Sequence, residues 1–218
     1  MNIVFVKVDN KYTNVDVNNI FQQLYKYRPD FKYYCYTDNI FDGVNLDSNI
    51  TPIKIDPKLH LFKVWNKLYM FNRDNTISGQ IMYFDLDTIT QSDPFKVVDS
   101  IDFSKLTMVK CHWKSEQLVR LTNYDVTINS SILAWDSNNQ AVHQLWDHFI
   151  NSGLRDYLVK KYAGIDRYLV HEKFDKELFD HFPTDYIMSY KYEDHTKPAP
   201  VITFEELDFG SIDFKQIA

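Results

Sequence analysis

Two hydrophobic periods alternate through the first part of the chain, and this alternation limits most strongly what it can fold into. Residues 3–8 are an apolar, β-branched run of strand length that ends in the polar stretch 9–14. From 15 to 27, apolar residues recur at 17, 20, 21, 24 and 27 as one helical face, closed by Pro29. Residues 31–36 predict a second strand, and 53–55 a short third one after a loop containing Asp42-Gly43. Residues 59–71 predict a helix with Leu61, Phe62, Trp65, Leu68 and Tyr69 on one face, and 72–79 a turn. Gln80–Phe84 reads as a buried strand that runs directly into Asp85-Leu86-Asp87. Such repetition with short loops implies an α/β sandwich, a mostly parallel central sheet flanked by helices. The second half is less regular. Strands are expected at 106–109, 130–135 and 186–190, helices at 138–149, 154–162 and 165–171, and a strand or short helix beyond Pro198. No repeat or linker divides the chain, so 1–218 reads as a single domain with two halves meeting near residue 100.

Composition removes several function classes. The 5 glycines, at 43, 79, 153, 164 and 210, cannot form G-x-G-x-x-G or a P-loop. A formal net charge of −6 argues against a nucleic-acid partner, whose footprint is a basic face. It leaves room for an anionic ligand held through a divalent cation. Cys35 and Cys111 form no C-x-x-C and no Cys/His cluster, so two reduced, buried structural thiols in an intracellular chain are expected. No apolar run is long enough for a transmembrane segment, and the first residues lack the pattern of a signal peptide. The histidines at 60, 112, 143, 148, 171 and 181 show no H-x-x-x-H pair and read as structural.

The 24 Asp include one pair in a telling place. Asp85 and Asp87 stand two apart just where an apolar strand ends, and i, i+2 residues of a strand point the same way. The carboxyl end of a parallel strand is where open α/β sheets bind ligands. Two hard oxygen donors there suit Mg2+ or Mn2+ bridging to phosphate oxygens. A solvated acidic turn is the competing reading, since so many Asp produce such pairs by chance; the strand before the pair favours function.

At these residues the chain resembles a family. Trp65, Lys67 and Phe71, then Gly79, Tyr83 and Asp85-Leu86-Asp87-Thr88, are similar to the "W-x-K-x-x-x-F … G-x-x-x-Y-x-D-L-D-T" core of GT-A glycosyltransferases. Asn129-Ser130-Ser131-Ile132-Leu133-Ala134-Trp135 resembles that family's "N-[ST]-[GS]-hydrophobic-W" strand, and Gly164-Ile165-Asp166-Arg167 its "G-D-D-Q" segment. Pro183 to Lys191 resembles its "P-x-x-W/Y-hydrophobic-S-[FY]-K" element. These landmarks stand in family order over most of the chain, nearest to the virus-encoded, chlorovirus-type members.

The resemblance implies a Rossmann-like GT-A domain whose N-terminal half binds a nucleotide and whose C-terminal half binds an acceptor. Val8, Asp9, Asn10, Lys11 and Tyr12 would cradle the nucleobase, with Tyr12 stacking on it; Thr37 and Asp38 would make a second base contact. The residue-only reading of 9–14 is an ordinary polar turn capping the next helix. Lys67 would contact phosphate or hold the Asp85 loop, while Trp65 packs as core. Asp85 would touch ribose or a metal-bound water, and Asp87 would ligate the metal, Mn2+ or Mg2+. Asn129, Ser130 and Ser131 would face the sugar. Asp166 would act as general base or orient the sugar; its plain reading is a favourable helix N-terminal charge. Arg167 stands where the family has Gln, and Arg167 or Lys191 would meet phosphate; the plain reading of both is a surface charge. The family's terminal His-x-Gly-x-x-Lys-Pro is missing, which leaves His195, Asp208, water or phosphate as the third metal ligand.

The expected activity is transfer of a sugar from a nucleotide-diphosphate sugar, with uridine as the base, to a hydroxyl of a glycan or glycoprotein. The expected location is the cytoplasm, that of the host if the chain is viral. Two alternatives stand beside it. One is a non-catalytic nucleotide-sugar or carbohydrate-binding relative. The other is a haloacid-dehalogenase phosphatase with Asp85 as nucleophile, disfavoured by Ile89 where Thr or Val is required and by the motif's place on a fourth strand.

Overall fold

The structure, a computed structural model, describes residues 1–56, 61, 63–113, 127–162, 164–172, 175–190 and 199–203. Its centre is a seven-stranded sheet built from β1 (Asn2–Lys7), β2 (Lys32–Thr37), β3 (Ile50–Lys54), β4 (Gln80–Phe84), β6 (Leu106–Lys110), β7 (Ile128–Asp136) and β8 (Phe179–His181). The order is β3-β2-β1-β4-β7-β6-β8. Parallel pairing joins β1 to β2 and β4, β2 to β3, and β6 to β8, so six strands share one direction. β7 runs against both of its neighbours, β4 and β6. The expected mostly parallel sheet is therefore present, with one reversed strand in it. A small second sheet joins β5 (Thr88–Thr90), β10 (Val201–Thr203) and β9 (Ile187–Ser189), with β10 in the middle.

Period-2 alternation explains the layering. In β1, Val4 and Val6 join the core on one face of the sheet, while Ile3 and Phe5 join the core on the other. Ile81 and Tyr83 of β4 divide from Met82 and Phe84 in the same way. The rings follow: Trp65 stacks on Phe149 at 4.8 Å, and Phe21 meets Tyr33 edge-on at 4.9 Å on the opposite face. Large rings are thus buried on both faces of the sheet.

Helix α1 (Asn14–Tyr25) buries Val17, Ile20, Phe21 and Leu24. Its start is fixed by the Asp16 carboxylate, which accepts the Thr13 backbone N–H at 2.7 Å. Helices α2 (Gln140–Asn151), α3 (Arg155–Tyr162) and α4 (Ile165–His171) follow β7. Asn139 caps α2 by accepting the Ala141 N–H, which moves its start two residues beyond the expected one. Among the described residues, no helix is long and apolar enough to cross a membrane.

One expected helix differs. In place of an α-helix over 59–71, the described part is a 3-10 helix at Lys63–Phe71; 57–60 and 62 lie outside the described residues. Asn66 explains the entry: it is buried and its amide bonds the backbone of Leu61 on both sides (2.6 and 3.0 Å) and the Lys63 carbonyl (2.9 Å). These bonds hold the chain in a turn that an α-helix would open. Of the expected face, Leu61, Trp65 and Leu68 are still buried and Tyr69 is partly so, with Met70 and Phe71 buried beside them. The elements with no counterpart in the expectation are short: β5, β8 and 3-10 turns at Pro94–Ser100 and Lys176–Leu178.

Candidate functional site

A cavity of about 910 Å³ opens where the parallel neighbours β1 and β4 end. Val8, Asp9, Lys11 and Tyr12 from the loop after β1 line one wall. Tyr83, Asp85 and Asp87 from the end of β4 form the floor, and Lys63, Lys67 and Arg155 approach from the 3-10 helix and α3. Lys63 and Arg155 were not expected in the site, since they come from elements whose own patterns speak only of packing.

The chain leaves β4 after Phe84 and turns tightly, the Thr88 N–H donating back to the Asp85 carbonyl at 3.3 Å. Asp85 and Asp87 therefore sit on a turn, not a continuing strand, yet both line the same cavity. Their surroundings differ. Asp85 accepts the Lys67 ammonium at 2.7 Å and the Tyr83 hydroxyl on its other oxygen. Tyr83 was not singled out from the sequence as a site residue; it stands two residues before Asp85 at the end of β4, and that i, i+2 spacing was the signal available. Asp87 accepts the Tyr12 hydroxyl at 2.7 Å, and the Lys11 ammonium lies 3.8 Å from the same oxygen.

Electrostatics separate these groups further. Burial, with the charge of Asp85 beside it, pushes the Asp87 carboxyl above the usual carboxylate range. Burial also works against the Lys67 ammonium, but Asp85 and then Asp166 outweigh it and hold Lys67 charged. The Tyr12 and Tyr83 phenols are pushed up first by burial and then by the carboxylates they meet, so both stay protonated donors.

Lys67 links the floor to the next strand. Its ammonium also donates to the carbonyl and hydroxyl oxygens of Ser130 (3.3 and 3.2 Å). The Ser130 N–H in turn donates to Asp166, at the start of α4, at 3.1 Å. The structure thus gathers Asp85, Lys67, Ser130 and Asp166 into one network. Asn129 and Ser131 are engaged locally: the Asn129 side chain accepts the Ser131 N–H (2.7 Å), the Ser131 carbonyl accepts the Asp85 N–H (2.7 Å), and the Ser131 hydroxyl meets that of Thr203 (3.0 Å).

At the end of β2, the buried Thr37 hydroxyl bonds the Asn39 backbone, while Asp38 accepts the Asp9 N–H at 2.9 Å. Asp9 takes a left-handed φ of 59° there, which turns the chain out of β1. Asn10 is exposed beside this bend. Arg167 follows Asp166 on α4, partly buried. Lys191, His195 and Asp208 lie outside the described residues. Among the described residues, no three His, Cys, Asp or Glu side chains gather as a metal cluster.

No protein-family model matches the chain, and no curated protein matches it in sequence. Solved structures do match it in shape. A galactosyltransferase, LgtC, in complex with donor and acceptor sugar analogs superposes with a TM-score of 0.59 at 13% identity, over 94% of this chain and 87% of that one. A glycosyltransferase involved in glycosylation of the major capsid of PBCV-1 gives 0.56 at 10% identity, over 95% of both chains. The glycosyltransferase GlyE of Streptococcus pneumoniae gives 0.64 at 15% identity, over 98% of this chain and 57% of that one. The chain has the GT-A glycosyltransferase fold. Within that fold, the cavity lies at the carboxyl end of the parallel strands, as ligand sites in open α/β sheets do.

Proposed function

We propose that this chain is a metal-dependent glycosyltransferase. It would take a sugar from a nucleotide-diphosphate sugar, a UDP-sugar, and deliver it to a hydroxyl of a glycan or glycoprotein. The observation that carries this reading is the facing of Asp85 and Asp87 into one cavity with the β1 loop and Tyr12, on a fold shared with glycosyltransferases. The N-terminal half would hold the donor and the C-terminal half the acceptor, and the enzyme would work in the cytoplasm with both thiols reduced.

The donor set fits Mn2+ or Mg2+. Two carboxylates share a cavity, and Asp87 carries its charge there at a cost that a cation would relieve. Asp87 would ligate the ion directly. Asp85, bonded through both oxygens, would act through a bound water or the ribose. When present, the ion supplies Lewis-acid neutralisation of the diphosphate leaving group. The same double engagement of Asp85 argues against its use as a phosphatase nucleophile.

The chain's own residues supply the rest. Asp9, Tyr12 and the Asp38-tethered bend shape the base end, while Val8 gives it an apolar wall. Lys67 fixes Asp85 and offers positive charge to the phosphates. Ser130 and Asp166 would meet the transferred sugar, with Asp166 orienting it or accepting the acceptor hydroxyl's proton. Thermal denaturation with UDP-sugars, with and without Mn2+, tests the proposal. A Mn2+-dependent rise in Tm is expected with at least one donor, and Asp87→Ala should abolish it while leaving the melt cooperative. No metal-dependent shift with any donor would refute the reading; a shift with no turnover or donor hydrolysis would reduce the chain to a binding protein.

A further inference from the structure

We propose that the Tyr12 hydroxyl orients Asp87 for a divalent cation, and so ties cation affinity to occupancy of the nucleoside end of the cavity. This rests on the function proposed above and adds a positioning residue to it. Tyr12 belongs to both ends: its ring lines the cavity beside Val8 and Asp9, and its hydroxyl donates to Asp87 Oδ2 at 2.7 Å.

The loop holds Tyr12 from both sides. Asp38 ties the Asp9 N–H at one end, and Asp16 takes the Thr13 N–H at the other. These bonds anchor the backbone on both sides of Tyr12 and leave the ring to be fixed by what it touches. Lys11 adds a second contact on the same carboxylate oxygen and lies 4.5 Å from the Tyr12 ring centroid. Both contacts fall on Oδ2, and Oδ1 takes neither of them.

A carboxylate already turned by a hydrogen bond has less freedom to lose when it ligates an ion. Hydrogen-bonding partners of metal ligands are generally worth about 10–100-fold in metal affinity. A base stacked on the Tyr12 ring would fix the ring and keep its hydroxyl on Asp87. Occupying the nucleoside end then favours the ion, and by linkage the ion favours the nucleoside to the same degree.

The test is a calorimetric titration of Mn2+ into the full chain, with and without saturating uridine. Uridine carries no phosphate, so the two ligands share no direct bond. In the wild type, uridine should tighten Mn2+ binding about five-fold or more. Tyr12→Phe keeps the ring and should keep uridine binding, but should bind Mn2+ about ten-fold more weakly and lose the enhancement. Unchanged Mn2+ affinity in Tyr12→Phe, or an enhancement that survives it, overturns the inference. Should that variant fail to fold, the wild-type titration still decides, because Mn2+ and uridine binding without mutual effect overturns it. A wild type that binds neither ligand refutes the functional proposal itself.

Discussion

Asp85 and Asp87 stand two residues apart and do different work because their partners differ. Asp85 is locked by a buried ammonium, so Lys67→Met should strand its charge and cost about 3–5 kcal/mol in urea unfolding, the usual penalty for breaking a buried pair. A loss below about 1 kcal/mol would show that water replaces Lys67 readily. Asp87 meets Lys11, whose side chain is 71% exposed. Such a pair is worth about 0.2–1 kcal/mol, so Lys11→Ala should tighten Mn2+ binding by at most about five-fold. Weaker binding in that variant would mean that Lys11 helps to build the site instead of competing for it. At this scale the sequence was readable where chemistry and strand period coincide: Lys67 bonds Asp85, one of the two roles open to it, and both acids line one cavity. Lys63 and Arg155 were not readable, because only the packing of the 3-10 helix and α3 against the sheet brings them to the cavity.

Among the elements, the loop after β2 shows how a buried charge can set a binding edge. Lys7, 2% exposed at the end of β1, reaches across to Asp42, 17% exposed, at 2.8 Å and to the Asn39 carbonyl at 2.7 Å. Asp42 also accepts the Asn14 N–H at the start of α1 (2.8 Å). Asp42→Asn should therefore cost about 3 kcal/mol by urea unfolding at neutral pH, and loosen β1, β2 and α1 together. The pH dependence has a definite sign. Burial opposes the Asp42 charge, but Lys7 and the Asn14 N–H outweigh it and hold the carboxyl below its usual range. Its stabilisation is full above the unfolded value of about 3.9 and is lost as pH falls through the lower folded value. Wild type and Asp42→Asn should thus converge in stability at acid pH; a constant gap would place the effect in packing. Helices and central strands of five or more residues were legible because a period needs that many to show, whereas the 3-10 turn Pro94–Ser100 was not. β5 and β8 have three residues each and are strands through their neighbours alone, while β10 takes the strand form of the strand or short helix expected beyond Pro198. The 3-10 helix misled for a related reason: Leu61, Trp65 and Leu68 fit a helical stripe, but Asn66 decides the backbone.

For the molecule as a whole, burial sets the chemistry of the thiols, with Cys35 inside the core on one face of the sheet. Cys35 and Cys111 are buried, and burial pushes the Cys35 thiol up to about 12. Neither should react with a disulfide reagent in the native state at neutral pH. Labelling across a urea series should follow the same midpoint as tryptophan fluorescence; fast native labelling of Cys35 would reveal local opening at β2. The overall architecture was legible because the β/α alternation is repeated, each unit repeating the same instruction. The reversal of β7 was not, since a strand's direction depends on the connection that delivers it and no period within the strand records it.

The small sheet carries one more consequence. β5 begins directly after Asp87, yet its pairing partner is β10, and the nearby Ala199–Gln91 contact spans 108 positions. During synthesis, the turn bearing both carboxylates emerges long before the strand that braces it. The nascent chain would leave β5, next to the two acids, without its pairing partner until the last described strand arrives, so activity should switch on late in translation and not accumulate with length.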